Sequence, residues 1–415
     1  MRRNWSGTVD LGGTFAHPGS LAAVQQAVLR SPRALALGSA HSFSRVAATT
    51  GLHIDTTELP AEVTVDGTTA TVGAGTTYAV LGRALRQRGA ALAAMASLPH
   101  ITVAGAISTG THGSGDRIGT LSSAVSGLEI VDARGDIRWV RRGVDPDFAG
   151  WVVALGALGI ATRVELDVEP DYQVAQTVFT GLDLDAVEAD LDAVFSSATS
   201  VSVFTRWRPE PDGQLWLKRR VDREGPWPGG PAFEAQPRSL PIHPLEELDP
   251  VHCTEQGGVP GPWDERLPHF RAEFTPSSGD EIQAEYLLPR DHAVEAIRGV
   301  RSLHERITPL LHVTEIRSMR ADDLWLSPAY GVDTVGIHFT WHRDDRIYSV
   351  LPAIEEVLLP LGARPHWGKV SAASPERIRA AFPRWEDFAR LVATEDPQGR
   401  FRSPFVSAML GEPDR

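Results

Sequence analysis

The chain contains one cysteine, Cys253, among 415 residues. No internal disulfide can form, which excludes a disulfide-stapled scaffold and suits a reducing cytoplasm. A concentrated basic face is also missing. Lys and Arg number 40 against 53 Asp and Glu, for a formal net charge of −13. Positive charge comes in short pieces, Arg141-Arg142 and Lys218-Arg219-Arg220, which read as solvated strand ends, and nucleic acid is not expected as a partner. The most apolar stretches, 151–160 and 350–361, are too short to span a bilayer or carry charge. No apolar region follows Arg2-Arg3, so no signal peptide is expected. Both the nicotinamide fingerprint G-x-G-x-x-G and the P-loop are absent as well. The expectation is a soluble, cytoplasmic, monomeric protein with no membrane partner.

The composition, 42% hydrophobic and 22% charged, is that of an ordinary globular protein long enough for two domains. Over the first 170 residues short strands and helices alternate. Ser20 is placed to cap a helix over 21–30, and 34–37 reads as a buried strand. Asp66-Gly67 predicts a hairpin between strands 62–65 and 69–72, and Thr76 a cap for a helix over 78–88 ended by Gly89. Residues 94–119 are mostly small and show neither helical nor strand period. Strands are expected at 127–131, 137–140 and 160–168, with a helix at 148–155. From Tyr172 the texture becomes that of an antiparallel α+β unit: strands at 201–208 and 214–220, helices at 184–195 and 292–307, and a proline-rich surface loop over 226–250. Ser374-Pro375-Glu376 opens a helix to 382. The expected domains are 1–170, 171–373 and a C-terminal segment, 374–415.

Two loops carry most of the chemical information. Gly38-Ser39-Ala40-His41-Ser42-Phe43-Ser44 follows the buried strand, and its small residues let backbone N–H groups approach an anion. The run from Ser97 to Gly115 suits a backbone laid against a long, phosphate-bearing ligand; either loop alone could equally be a tight connection. The segment 155–160 could close over the same ligand. Among 14 histidines, His17, His53, His243, His269, His292, His304 and His342 read as structural or surface residues. His41, His100 and His112 match no zinc-ligand pattern, so no metal is expected. Along a strand, Glu315 and Arg317 project to one face about 6–7 Å apart, and alone would be an ordinary ion pair. His338 and Thr340 repeat this spacing on another strand, and Lys369 adds a second cation. Converging on one cavity, these groups would satisfy a ligand made of hydroxyls, each both donor and acceptor.

Gly38 to Phe43, Ala96-Ser97-Leu98-Pro99-His100 and Gly105 to Gly115 together resemble the vanillyl-alcohol-oxidase type of FAD-binding domain. Within that superfamily the chain is similar to the alditol oxidases, relatives of the sugar-lactone oxidases. The similarity extends to Asn4-Trp5, Thr205-Arg206-Trp207, Cys253-Thr254-Glu255-Gln256, Phe270 to Gly279, and Arg364-Pro365-His366-Trp367-Gly368-Lys369. It implies a two-domain α+β fold: a PCMH-type FAD-binding domain, to which 374–415 returns, and an antiparallel-sheet substrate (cap) domain. It further implies FAD bonded covalently to His41 and surrounded by Gly38, Ser39, Ala40, Ser42, Ser97, Val103, Gly105, Thr109, Gly110, His112, Gly113 and Ile160. His112 reads as structural or as a flavin contact. Glu315, Arg317, His338 and Lys369 become the expected catalytic residues, with Ser97 and Thr340 binding substrate. The implied reaction oxidises the terminal hydroxyl of an alditol (xylitol, sorbitol or glycerol) by hydride transfer to flavin, with O₂ reduced to H₂O₂ and Ala96 marking oxygen access. Arg317 and Lys369 would favour the developing alkoxide, Glu315 would hold the neighbouring hydroxyl, and either His338 or Lys369 would take the proton. A sugar-lactone or aldose oxidase, a dehydrogenase, and a flavin-binding protein without turnover are the alternatives. Gly115-Asp116-Arg117-Ile118-Gly119-Thr120 departs from the smaller, more neutral sequence expected there, with either a changed flavin contact or a surface position as the consequence.

Overall fold

The computed structural model describes residues 2–274 and 280–412. Residues 275–279, part of the Phe270 to Gly279 stretch, and 413–415 lie outside them.

The N-terminal part builds on caps and turns that the local sequence specifies. Ser20 accepts the Ala23 N–H at the start of helix Leu21–Arg30, which buries Val24 and Val28. The strand that follows, Ala34–Leu37, lies in a parallel sheet ordered Thr14–Ala16, Leu52–Asp55, Ala34–Leu37. The hairpin around Asp66-Gly67, with Gly67 at φ +57°, joins Val63–Asp66 to Thr69–Gly73. These enter a five-stranded antiparallel sheet with Ile160–Asp167, Val125–Val131 and Ile137–Arg141.

Several local expectations need correction. Helix Tyr78–Arg86 is capped by Thr77, not Thr76, because Thr76 is committed to the preceding turn through its N–H to the Gly73 carbonyl. The helix at Phe148–Val152 is short, since Leu155 takes a left-handed φ of +55°. Inside the small-residue run sits a helix, Val103–Ser108, whose Ala and Gly content gives no amphipathic signal. The expected helix at 184–195 is two, broken at Asp190, which caps the second by accepting the Ala193 N–H. That at 292–307 is likewise split into Ala293–Arg301 and His304–Ile307.

Between Gln173 and Pro365 the described residues form a nine-stranded antiparallel sheet. Its order runs Gln236–Pro237, Gln173–Leu182, Gly213–Arg220, Ser200–Thr205, Leu311–Met319, Thr334–His342, Glu281–Pro289, Arg364–Pro365, with Pro260–Pro262 pairing to Gln173–Leu182. Alternation sorts its two faces. Val203, Ile316, Ile337, Ala284 and Tyr286 turn to a core shared with Ile297 and Ile354 of two covering helices. Their neighbours in sequence, Phe204, Glu315, Arg317, His338, Thr340, Gln283 and Glu285, line a cavity on the other face.

Ser374 caps helix Pro375–Ala381 as its sequence predicts. Ile378, Phe382, Phe388 and Val406 of this last region pack in one apolar cluster with Val46, Trp151 and Val152. Among the described residues no helix is long and apolar enough to cross a membrane.

Candidate active site

A cavity of about 330 Å³ separates the polar sheet face from the glycine-rich loops. On the loop side, the chain leaves strand Ala34–Leu37 at Gly38, where a Cβ would overlap the Thr102 side chain. Ser39 Oγ accepts the Thr102 N–H at 3.2 Å. Ala40 holds a left-handed φ of +55°, a strained conformation for a residue with a Cβ, and its carbonyl accepts the Trp5 N–H at 2.8 Å. That bond places the Trp5 ring 5.2 Å from His41, stacked at 20°. Asn4 Nδ2 donates to the Ser42 carbonyl at 2.9 Å, and the Phe43 N–H to the Gly368 carbonyl at 2.7 Å. The His41 loop is therefore clamped between the N-terminal segment and the one that carries Lys369.

Burial, reinforced by the positive fields of His100 and Lys369, brings the His41 pKa down to about 4. Its imidazole is neutral at pH 7, and its buried Nδ1 has no hydrogen-bond partner. Thr102 Oγ1 is buried and unpartnered on the same wall. Gly38, Ser39, Ala40, His41, Ser42, Ser97, Gly105, Thr109 and His112 all line the cavity, and Leu155, Gly156 and Gly159 close one side. Four of the residues expected around a cofactor do not line it. Val103 and Ile160 are fully buried in apolar clusters. Gly110 is packed against the Pro328 ring, and Gly113 against the Met95 carbonyl; each is small because protein lies there. The divergent segment at 115–120 is a tie between the two halves: the Gly115 N–H bonds the Ser318 carbonyl, and Asp116 pairs with Arg290 at 2.7 Å.

On the sheet side, register sets the geometry. Phe204, Glu315, His338 and Glu285 are cross-strand partners in one row, with Thr340 and Gln283 paired in the next. Arg317 sits opposite Gly336, which leaves the guanidinium room to lean over and donate from Nη2 to Glu285 Oε1 at 2.7 Å. Its Nε lies 3.6 Å from Glu315 Oε2 and its Nη1 3.5 Å from Ser97 Oγ. Burial would raise both carboxyls, yet His112 and Arg317 hold Glu285, and Arg317 and His269 hold Glu315, well below the usual carboxylate range. Both are carboxylates at any working pH. Burial lowers Lys369 to about 8, with Glu285 opposing, and lowers His338 to about 3.

The protonation pattern follows from donor counting. Lys369 Nζ can only donate, and it meets Gln283 Oε1, which fixes the orientation of that amide. Gln283 Nε2 then donates to Glu281. His338 Nε2, 3.1 Å from the same Gln283 Oε1, must carry its proton, leaving Nδ1 with the lone pair.

Glu315, Arg317, His338, Thr340, Lys369 and Ser97 all line one cavity; strand spacing pairs Glu315 with Arg317 and His338 with Thr340, and the fold brings the pairs together with Lys369 and Ser97. Sequence reasoning missed Glu285, Gln283, His366 and Lys218, and it read His269 as structural or surface. Glu281-Ile282-Gln283-Ala284-Glu285-Tyr286 does carry a signal, polar residues alternating with apolar ones on a strand. Lys218 is a correction: expected on a solvated strand end, it is 1% exposed, as the inward phase of that strand dictates, and donates to His269 Nδ1 at 3.0 Å. His269 Nε2 in turn reaches Glu315 Oε1 at 2.8 Å. The proline-rich loop also does more than cover surface, since His243, Pro244, Leu245 and Leu248 wall the outer cavity. His112, Glu285 and His366 could gather around a metal ion. The Arg317 guanidinium on the same Glu285 oxygen would repel one.

The FAD binding domain family matches residues 15–141, and the D-arabinono-1,4-lactone oxidase family matches residues 280–409. An alditol oxidase from a Streptomyces species is 43% identical over 98% of this chain and 98% of its own length. The chain belongs to the FAD-dependent alditol oxidase family. A more distant relative, the L-gulono-1,4-lactone dehydrogenase of Mycobacterium tuberculosis, is 29% identical, covering 94% of this chain and 92% of that one. A cholesterol oxidase crystal structure from B. sterolicum shares the fold, with a TM-score of 0.80 at 16% identity over 98% of this chain and 96% of the other. For this alditol oxidase relative, the loop wall fits FAD: Thr102 and His41 line the cavity and keep a buried, unpartnered Oγ1 and Nδ1, and Gly38 and Gly105 stand where a Cβ would meet Thr102 Oγ1, so the wall is shaped by close backbone packing.

Proposed function

We propose that the chain oxidises the terminal primary hydroxyl of a linear alditol to the aldehyde, with FAD as oxidant and O₂ as final acceptor: one alditol and one O₂ give one aldose and one H₂O₂. The observation that carries this reading is the buried cross-strand row Glu315, His338 and Glu285 with Arg317 and Lys369 beside it. Alternating acceptors and donors along one wall suit a chain of hydroxyls.

FAD supplies the hydride acceptor when bound, held by the loop wall and, in this proposal, joined covalently to His41. A neutral, unpartnered Nδ1 fixed by the Trp5 ring supports that linkage. His338 Nδ1 takes the hydroxyl proton, since it bears the lone pair while Lys369 remains mostly ammonium at pH 7. Arg317 and Lys369 stabilise the developing alkoxide through charge. Glu315 accepts from the hydroxyl on the neighbouring carbon, and Thr340 and Ser97 orient the rest. We assign residues 1–170 to FAD binding, 171–373 to the substrate cap and 374–415 to a segment returning to the FAD-binding part, in a cytoplasmic monomer.

A sugar-lactone oxidase is the second reading, favoured by the family match over residues 280–409. The test is to precipitate the wild type and His41→Ala in acid, follow the yellow chromophore, and assay peroxide from xylitol, sorbitol, glycerol and a gulonolactone. Colour retained only by the wild type, with polyols preferred, is the expected result. Flavin released from the wild type would remove the covalent assignment, and preference for the lactone would replace the substrate class.

A further inference from the structure

Of the chain's 40 basic residues only two are lysines, Lys218 and Lys369. Every other Lys or Arg position is arginine, and both lysines lie beside the polar face of the sheet. Lys369 lines the cavity. Lys218 does not: it lies behind Glu315, on the inward face of strand Gly213–Arg220.

In its ammonium form Lys218 has three protons and meets three acceptors: the Leu267 carbonyl at 2.5 Å, the Pro268 carbonyl at 2.9 Å and His269 Nδ1 at 3.0 Å. The match is complete, and a planar guanidinium has neither the size nor the donor directions to replace it. Because Nδ1 accepts, His269 must carry its proton on Nε2, which is the nitrogen facing Glu315 Oε1 at 2.8 Å. The opposite tautomer would set a lone pair against a carboxylate. Phe204 and Trp216, edge-on to the His269 ring at 5.5 and 5.3 Å, hold it in place.

We propose that Lys218 is a positioning residue for alditol oxidation: through His269 it fixes the Glu315 carboxylate against the substrate hydroxyl. The inference rests on the reading of Glu315 given above. Lys218 does not line the cavity; His269 does, and its charged partner there is Glu315. Burial lowers the Lys218 amine to about 7, with Glu315 opposing; Cys253, Arg317 and His269 are the other titratable or charged groups that face it.

The experiment is a double-mutant cycle on the flavin-loaded protein with xylitol as substrate, using Lys218→Met, Glu315→Gln and the pair. Glu315→Gln alone should lower kcat/KM about 100-fold, and Lys218→Met about tenfold, mostly through KM. If Lys218 acts through Glu315, adding Lys218→Met to Glu315→Gln changes kcat/KM by no more than about twofold. Losses that multiply in the double variant overturn the proposal and leave the reading of Glu315 intact. An unchanged kcat/KM in Glu315→Gln overturns that reading and the proposal with it. Should Lys218→Met fail to fold, His269→Phe and His269→Gln carry the same test. The amide can still donate to Glu315 and the ring cannot, so the KM raised by phenylalanine should be largely recovered by glutamine; equal KM values overturn the link.

Discussion

The two walls of the cavity are built on opposite plans. The loop wall, residues 38–44 and 96–112, is mostly backbone and small side chains, contiguous in sequence and shaped by close approach: Gly38 against Thr102, Gly105 beside the same hydroxyl. The sheet wall is made of polar and charged side chains drawn from several strands, at least two from each of Leu311–Met319, Thr334–His342 and Glu281–Pro289, placed by cross-strand register. A wall of backbone suits a ligand that is bound tightly and kept. A wall of buried charges suits one that is bound, ionised and released, because fixed dipoles act on the charge that develops in the reaction. The cost is a set of buried ions that must compensate one another.

Substitutions sharpen this contrast, because sheet-wall changes should alter turnover at constant flavin content and loop-wall changes the reverse. The largest effect is expected for Arg317→Met, which leaves Glu285 and Glu315 without their shared cation: kcat/KM with xylitol should fall at least about 1,000-fold, and thermal unfolding should reveal a loss of about 3–5 kcal/mol. Next, His338→Gln removes the proton acceptor, and steady-state assays should give a kcat about 100-fold lower with flavin absorbance unchanged.

The pH profile distinguishes the two roles open to Lys369. Its amine titrates near 8, so if it acts as a cation kcat/KM falls as pH rises through about 8, and the limb disappears in Lys369→Met. A rate that climbs through the same pH would make Lys369 the base. On the loop wall, Gly38→Ala forces a methyl into Thr102, and the flavin-to-protein absorbance ratio should drop severalfold while the KM of the loaded fraction stays put. Smallest is Thr340→Val, the loss of one hydroxyl contact, which should raise KM for xylitol about two- to tenfold.

How legible each wall was follows from its plan. Residues 38–44 and 97–115 announced a tight, ligand-hugging backbone because close approach needs small residues at consecutive positions. Even so, the rule could not separate glycines that face the cavity from those, such as Gly110 and Gly113, packed against Pro328 and Met95. On the sheet, Glu315 and Arg317 could be paired by their spacing on one strand. Glu285 could not be joined to them, since its contact with Arg317 spans 32 residues and depends on which strands pair. Lys218 was misread for a related reason: in Lys218-Arg219-Arg220 the charge run looks solvated, and only the inward phase of the strand reveals a buried ammonium.

Sequence by itself determined what neighbouring residues decide: caps at Ser20 and Ser374, the Asp66-Gly67 turn, the tight loops, and which side chains share a strand face. These follow from local sterics and hydrogen bonds. The tertiary structure alone decided which faces meet, and with them the Glu285–Arg317–Glu315 charge set, the proton positions on His338 and His269, and the burial of Lys218. Ionisation and tautomer depend on solvent exclusion and on partners brought together from distant strands, and no local pattern encodes either.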